Sequence, residues 1–269
     1  MYANNLNQTL TNEQIQKWAP SAFAGQAYHK QSDRYAFVPT SVVIDGMRNA
    51  GFFPVKASQS RTRIEGKEMF TKHMISFRDQ NASISKLGDS VMEIVLINSH
   101  DGTSAYDLSC GMFRLACLNG LMVATSLVDA LHIRHTGRIL DEVVEGSTRL
   151  LQNAPVINDT VQQWRSIQLT QPEQHLLAES AHSLRFDEEG NAPPVEKLLS
   201  PRRWEDNGSD LWSTFNRVQE NAIKGGLRTF DPETRRRNRT REVKGIDQNV
   251  RLNRALWSLA EKMAALKAS

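Results

Sequence analysis

Cysteine is nearly missing from this chain: 269 residues hold two, Cys110 and Cys117. That scarcity excludes a disulfide-stapled secreted scaffold and a four-cysteine zinc site, and the spacing of the pair is unlike that of a zinc knuckle. Both are expected as small buried hydrophobes. No stretch reaches the ~18–20 apolar residues of a membrane span. The opening Met1-Tyr2-Ala3-Asn4-Asn5 has neither a basic nor an apolar leader segment, so no secretory signal is expected and the protein reads as soluble and cytoplasmic. Neither Gly-x4-Gly-Lys-Ser/Thr nor Gly-x-Gly-x-x-Gly occurs, which disfavours an ordinary nucleotide hydrolase or a Rossmann dehydrogenase. No cofactor is expected. His132 and His135 can share a helix face ahead of Asp141 and Glu142, but no convincing third ligand joins them, so no metal is expected either.

With 39% hydrophobic and 23% charged residues, the composition is that of an ordinary globular protein. The length suits one large domain or a core with an appended subdomain. The net charge of +3 conceals a division. Residues 1–200 hold 18 Lys and Arg against 21 Asp and Glu, whereas residues 201–269 hold 15 against 9. The positive charge is therefore concentrated near the C-terminal end.

Residues 1–34 are rich in Asn, Gln, Ser and Thr and read as a loose arm anchored by Trp18, Phe23 and Tyr28. Pro39-Thr40-Ser41 opens a short helix with Thr40 or Ser41 as N-cap, and Asn49-Ala50-Gly51 closes it. From Phe52 to about Thr125 the period is that of strands. Met69–Arg78 is one strand candidate and Val91–Ile97 another, the second almost continuously apolar. The turn formers Asn98-Ser99-His100-Asp101-Gly102-Thr103-Ser104 follow. Tyr106, Leu108, Cys110 and Met112 then alternate with small or polar residues, completing a β-hairpin signature. Asn119-Gly120 reads as a further tight turn.

Beyond residue 137 the period becomes helical. Thr170-Gln171-Pro172-Glu173 is a capping box with proline in the first turn. Residues 187–194 form an acidic linker with Gly and Pro. Leu211, Phe215, Val218 and Ala222 define a helix that Gly225-Gly226 stops, and Leu252, Leu256, Leu259, Met263 and Leu266 define another. The expected fold class is α+β, mainly an antiparallel sheet with a central hairpin over about 52–125 and a helical C-terminal half. The expected division is an arm (1–34), an α+β core (35–186) and a basic helical region (187–269).

Three groups of residues carry possible chemistry. Arg235, Arg236, Arg237, Arg239 and Arg241 fall within seven residues, on what reads as an exposed loop. Guanidinium forks match phosphate oxygens, and clustered arginines release counterions from a nucleic-acid backbone. Trp204, Trp212, Phe230 and Trp257 lie near in sequence as stacking surfaces, although a core position is the simpler expectation for Trp204 and Trp257. A second basic group, Arg61, Arg63, Lys72 and Arg78 with Lys67 and His73, would line a sheet face if these residues sit on adjacent strands. The hairpin tip supplies the third. Ser99, His100 and Asp101 point to alternating faces and cannot form a triad among themselves, so a catalytic reading needs His100 and Asp101 to join Asn98, Arg114 and Cys117. Arg114 shares the parity of the apolar strand residues and would need Asp101 or Asp107 as a partner.

Several blocks resemble a known family. They are Phe37-Val38-Pro39-Thr40, Asn49-Ala50-Gly51-Phe52, His73–Arg78, Glu93–Ser104, Cys110–Leu121, Thr240–Asp247 and Val250–Trp257. Together they are similar to the phage/plasmid-like proteins called domain of unknown function 932, over about residues 35–265. The resemblance implies a protein of phages, prophages or conjugative elements and carries over no catalytic residue. Such a setting, with a basic segment on an α+β body, leads to the expectation of single-stranded DNA binding or annealing in recombination or replication, as a possible homo-oligomer and not an enzyme. The alternatives are an enzyme at the hairpin (His100, Asp101, Arg114) and a protein-binding inhibitor of host defence.

Overall fold

Thr11 starts the first helix, α1 (Asn12–Trp18), through a capping box: Thr11 Oγ1 accepts from the Gln14 N–H and Gln14 Oε1 accepts from the Thr11 N–H. The computed structural model of the chain describes residues 9–29, 37–80, 90–114, 119–122, 131–133, 138–152, 154–186, 192–230 and 236–268. Residues 9–29, expected as a loose arm, are docked. Leu10, Ile15, Ala19, Ala22 and Ala24 are buried, and the Leu10 N–H donates to the Pro54 carbonyl at 2.7 Å. These aliphatic residues anchor the segment together with Tyr28, whose N–H donates to the His100 carbonyl at 2.9 Å and whose ring lies 5.3 Å from that of Phe70, while Trp18 remains half-exposed.

Helix α2 spans Thr40–Asn49. Its N-cap is Pro39, which offers no side-chain bond, and Thr40 lies inside the first turn with its hydroxyl turned elsewhere. After it, Gly51 takes φ +89°, where a side chain would be strained. The chain then enters β1 (Phe52–Gln59), β2 (His73–Asp79), β3 (Ser90–Asn98), β4 (Tyr106–Arg114), β5 (Asn119–Met122) and β6 (Leu131–Ile133). These strands form one antiparallel sheet in the order β1-β2-β3-β4-β5, with β6 also pairing β4. The central hairpin is present as expected, with Ile97 opposite Asp107 and Val91 opposite Phe113. Ile94, Val95 and Leu96 are fully buried, so β3 has apolar residues on both faces. Met69 and Phe70 fall in a short 3-10 turn ahead of β2. Asn119 and Gly120, expected as a turn, stand in β5 opposite Arg114 and Phe113. Helix α3 (Ile139–Gln152) packs on α2 and on β3 and β4. Gly46 permits the close approach of α2: a Cβ there would meet Leu140 Cδ1 at 2.1 Å.

The remaining elements are α4 (Ala154–Ser166), α5 (Gln171–Arg185), α6 (Leu211–Lys224), β7 (Arg228–Phe230), β8 (Arg237–Arg239) and α7 (Ile246–Ala268). The Thr170–Glu173 capping box opens α5 as expected. The molecule divides into two compact units, Met1–Ala154 and Pro155–Ser269. The boundary thus lies well before the acidic stretch at 187–194, much of which is outside the described residues. The cause is aromatic packing. Trp164 of α4 meets Trp257 of α7 at 4.4 Å and Phe215 of α6 at 5.5 Å between ring centroids, which joins α4 to the C-terminal helices. Helix α6 is buried along almost its whole length, and several of its polar side chains are bonded inside: Arg217 donates to the Asp206 and Gly208 carbonyls, and Asn221 donates to those of Leu198 and Ser200. Leu252, Leu256 and Met263 of α7 enter the core, whereas Leu266 is exposed. Among the described residues no helix is long and apolar enough to cross a membrane.

Candidate functional site

The N-terminal unit gathers polar groups around a single hydroxyl. Thr40 Oγ1 lies 2.9 Å from His73 Nε2, 3.0 Å from Asn98 Nδ2, 3.2 Å from His100 Nε2 and 3.2 Å from the Tyr106 hydroxyl. Ser21 reaches His73 Nδ1 at 2.9 Å from the docked N-terminal segment. All six side chains are fully buried. Two carbonyls that can only accept order the protons. Tyr106 donates to the Val38 carbonyl, and His73 Nδ1–H faces the Thr71 carbonyl at 3.3 Å. His73 Nε2 is then an acceptor for Thr40, whose lone pairs take the Asn98 amide and the His100 Nε2–H. Burial drives the His73 pKa down to about 4, against smaller opposing effects of the Thr71 carbonyl and Asp101. The imidazole is therefore neutral at physiological pH. The cluster ties the docked N-terminal segment, helix α2 and the sheet together with neutral groups.

Asp101 takes a separate role. Its carboxylate pairs with Lys67 at 3.0 Å and accepts from the Thr103 N–H at 3.1 Å, while Ser99 Oγ accepts from the Ser104 N–H. Burial raises its pKa, but the bonds from Thr103, Lys67 and Ser99 outweigh that and hold it below the usual range. The tip is thus a turn that bonds its own backbone. Arg114 does not belong with it. Tyr106 lies beside the tip and Arg114 ends the same strand, roughly 27 Å away at ~3.4 Å per residue. The grouping of His100, Asp101 and Arg114 as one site is overturned by strand length, and Asp107 instead pairs with His132 at the tip end. Cys117 lies outside the described residues. Cys110 is buried, which pushes its thiol up to about 12, so it is an inert core group.

The second basic group does not form a sheet-face track. Arg78 is buried and bound to Glu93 through Nε at 2.7 Å and Nη2 at 2.6 Å. Arg61 and Arg63 are exposed but follow the end of β1, in a loop, and Lys72 precedes β2.

The C-terminal arginines behave differently. Arg235 is outside the described residues; Arg236, Arg237, Arg239 and Arg241 are exposed. Part of the expected loop is β8, which pairs with β7 so that Arg228 faces Arg239 and Phe230 faces Arg237. Directly opposed residues in an antiparallel pair share a face, as do residues two apart. Arg228, Phe230, Arg237 and Arg239 thus project together, with Phe230 56% exposed, while Thr229 between them turns inward. Among the described residues none of these arginines has an ion-pair partner. The ribbon is held at its base: the Gly226 N–H donates to the Thr240 carbonyl, the Thr240 N–H to the Leu227 carbonyl, and Arg185 Nη2 to the Arg241 carbonyl. Sequence reasoning missed Arg228. The signal was present in two alternating triplets, Arg228-Thr229-Phe230 and Arg237-Asn238-Arg239, on either side of Asp231-Pro232.

A family model described as Domain of unknown function (DUF932) matches residues 27–257. The chain belongs to the DUF932 family. Two relatives from Escherichia coli (strain K12), UPF0380 protein YafZ and UPF0380 protein YfjQ, are each 39% identical over 254 residues, covering 94% of this chain and 91% of theirs. No solved structure matches. The DUF932 match spans both compact units and includes the arginine ribbon and the Thr40 cluster apart from Ser21.

Proposed function

We propose that this DUF932 protein is a cytoplasmic nucleic-acid-binding factor of a phage, prophage or plasmid that holds single-stranded DNA during recombination or replication. The observation that carries the reading is the ribbon face, where Arg228, Arg237 and Arg239 flank exposed Phe230 without carboxylate partners among the described residues. Like charges directly across a ladder, as at Arg228 and Arg239, are destabilising in water. A phosphate between the two guanidinium groups removes that cost and accepts two forked contacts. Arg236 and Arg241 extend the positive edge, and Phe230 adds an apolar surface beside it. Arg61 and Arg63 are exposed in the other unit and are further candidates for phosphate contact; Arg78 is not.

The test is a titration of the full chain into a labelled oligothymidylate across a salt series. Affinity should fall steeply with salt, and the Arg237→Gln/Arg239→Gln double variant should lower the magnitude of the log–log slope by roughly 1.4, at ~0.7 per phosphate contact. No binding at low salt ends the proposal. Mass photometry of the same mixtures reports whether the bound form is a homo-oligomer.

A further inference from the structure

The chain has five tryptophans. Trp164, Trp212 and Trp257 are buried in the C-terminal unit and Trp18 is half-exposed, but Trp204 is 79% exposed. Its neighbours in sequence are fastened. Arg202 Nε donates to Asn221 Oδ1 at 2.7 Å and its Nη2 donates to the Gly225 carbonyl; Arg203 pairs with Asp206 at 3.2 Å and with Glu220. The backbone under the indole is therefore held to α6 while the ring stands in solvent. Its place relative to the arginines follows from two consecutive carbonyls. Arg202 binds that of Gly225, and Arg239 Nη1 donates to that of Gly226 at 3.3 Å. Trp204 comes two residues after Arg202, at most about 7 Å further along the chain. The exposed indole and the arginine ribbon thus stand at the same end of α6.

From this placement we infer that Trp204 is a base-stacking platform of the ribbon surface and sets its preference for single-stranded DNA over duplex. The inference rests on the ribbon binding nucleic acid. An exposed ring at the same end of α6 as guanidinium groups that make no ion pair among the described residues suits a ligand with anionic backbone and flat apolar faces. In a duplex those faces are covered by neighbouring bases, whereas a single strand presents them to an aromatic ring whatever the sequence. Phe230, on the ribbon itself, supplies a second such surface.

The experiment measures anisotropy of the full chain with a labelled oligothymidylate, a matched oligouridylate and a blunt duplex of equal length, for the wild type, Trp204→Ala and Trp204→Phe. Trp204→Ala should bind oligothymidylate roughly tenfold more weakly, with duplex binding and the salt slope nearly unchanged. Trp204→Phe should recover most of the loss and remove most of the tryptophan quenching that oligothymidylate causes. Equal losses on single strand and duplex, wild-type affinity in Trp204→Ala, or tighter binding of oligouridylate would overturn the inference. If the arginine variant lowers the salt slope while Trp204→Ala behaves as wild type, only the stacking role fails. If the wild type binds no probe, the ribbon reading fails with it.

Discussion

Thr40 shows how much one hydroxyl can organise. With one proton and two lone pairs, it stands against two imidazoles, an amide and a phenol, all buried. Thr40→Val keeps the shape and leaves the Asn98 amide and the histidine nitrogens without that partner. A buried polar group deprived of its bond costs about 1–3 kcal/mol, so urea unfolding at neutral pH should show a loss of at least that size. His73 adds a pH dependence whose sign follows from its depressed pKa of about 4, against 6.5 for a free imidazole. Above pH 6.5 neither folded nor unfolded chain carries the proton and stability is complete. Between 6.5 and 4 the unfolded chain takes up a proton that the folded chain refuses, so stability falls and then levels off. The urea midpoint should drop from pH 7 to pH 5, and the drop should shrink in His73→Gln.

At the scale of elements, the pairing of β2 with β3 contains a buried ion pair, Arg78 with Glu93. Removing one partner strands the other charge in the sheet. Glu93→Ala should therefore cost about 3–5 kcal/mol by denaturant melting, far more than substitution of an exposed arginine such as Arg61. The ribbon depends on a glycine in the same local way. Gly225 has φ +61°, and a Cβ there would meet the Arg241 carbonyl oxygen at 2.6 Å. Gly225→Ala must shift the β7–β8 base, and amide exchange at residues 226–230 and 237–240 should accelerate beyond that of α6. Substitution at Gly226, where nothing crowds the added Cβ, should disturb the base less despite its own φ of +75°.

For the whole molecule, two compact units separate acid sensitivity from charge. The Thr40–His73 cluster lies within Met1–Ala154, whereas the ribbon and Trp204 lie within Pro155–Ser269. At pH 5, amide exchange should rise in β1–β4 and α2 while α5–α7 keep their protection. Uniform loss across both units would show that they unfold as one. The arginine variants should leave the urea midpoint nearly unchanged, because their side chains are exposed and make no ion pair among the described residues.

Periodicity and turn chemistry were enough to read the central hairpin, the capping box at Thr170 and the helices α6 and α7, because these depend on neighbours close in the chain. The family, too, was legible from contiguous blocks. Local pattern could not place the unit boundary, which follows from Trp164 meeting rings more than forty residues away. Nor could it show that Thr40 would spend its hydroxyl on His73 and Asn98 instead of on a helix cap, or that Arg78 would bury itself against Glu93. Sequence determined that the positive charge is concentrated near the C-terminus. Only the tertiary structure decided that β7 would pair with β8, bringing Arg228 across from Arg239 and Phe230 beside Arg237, since a ladder sets which residues share a face and composition does not.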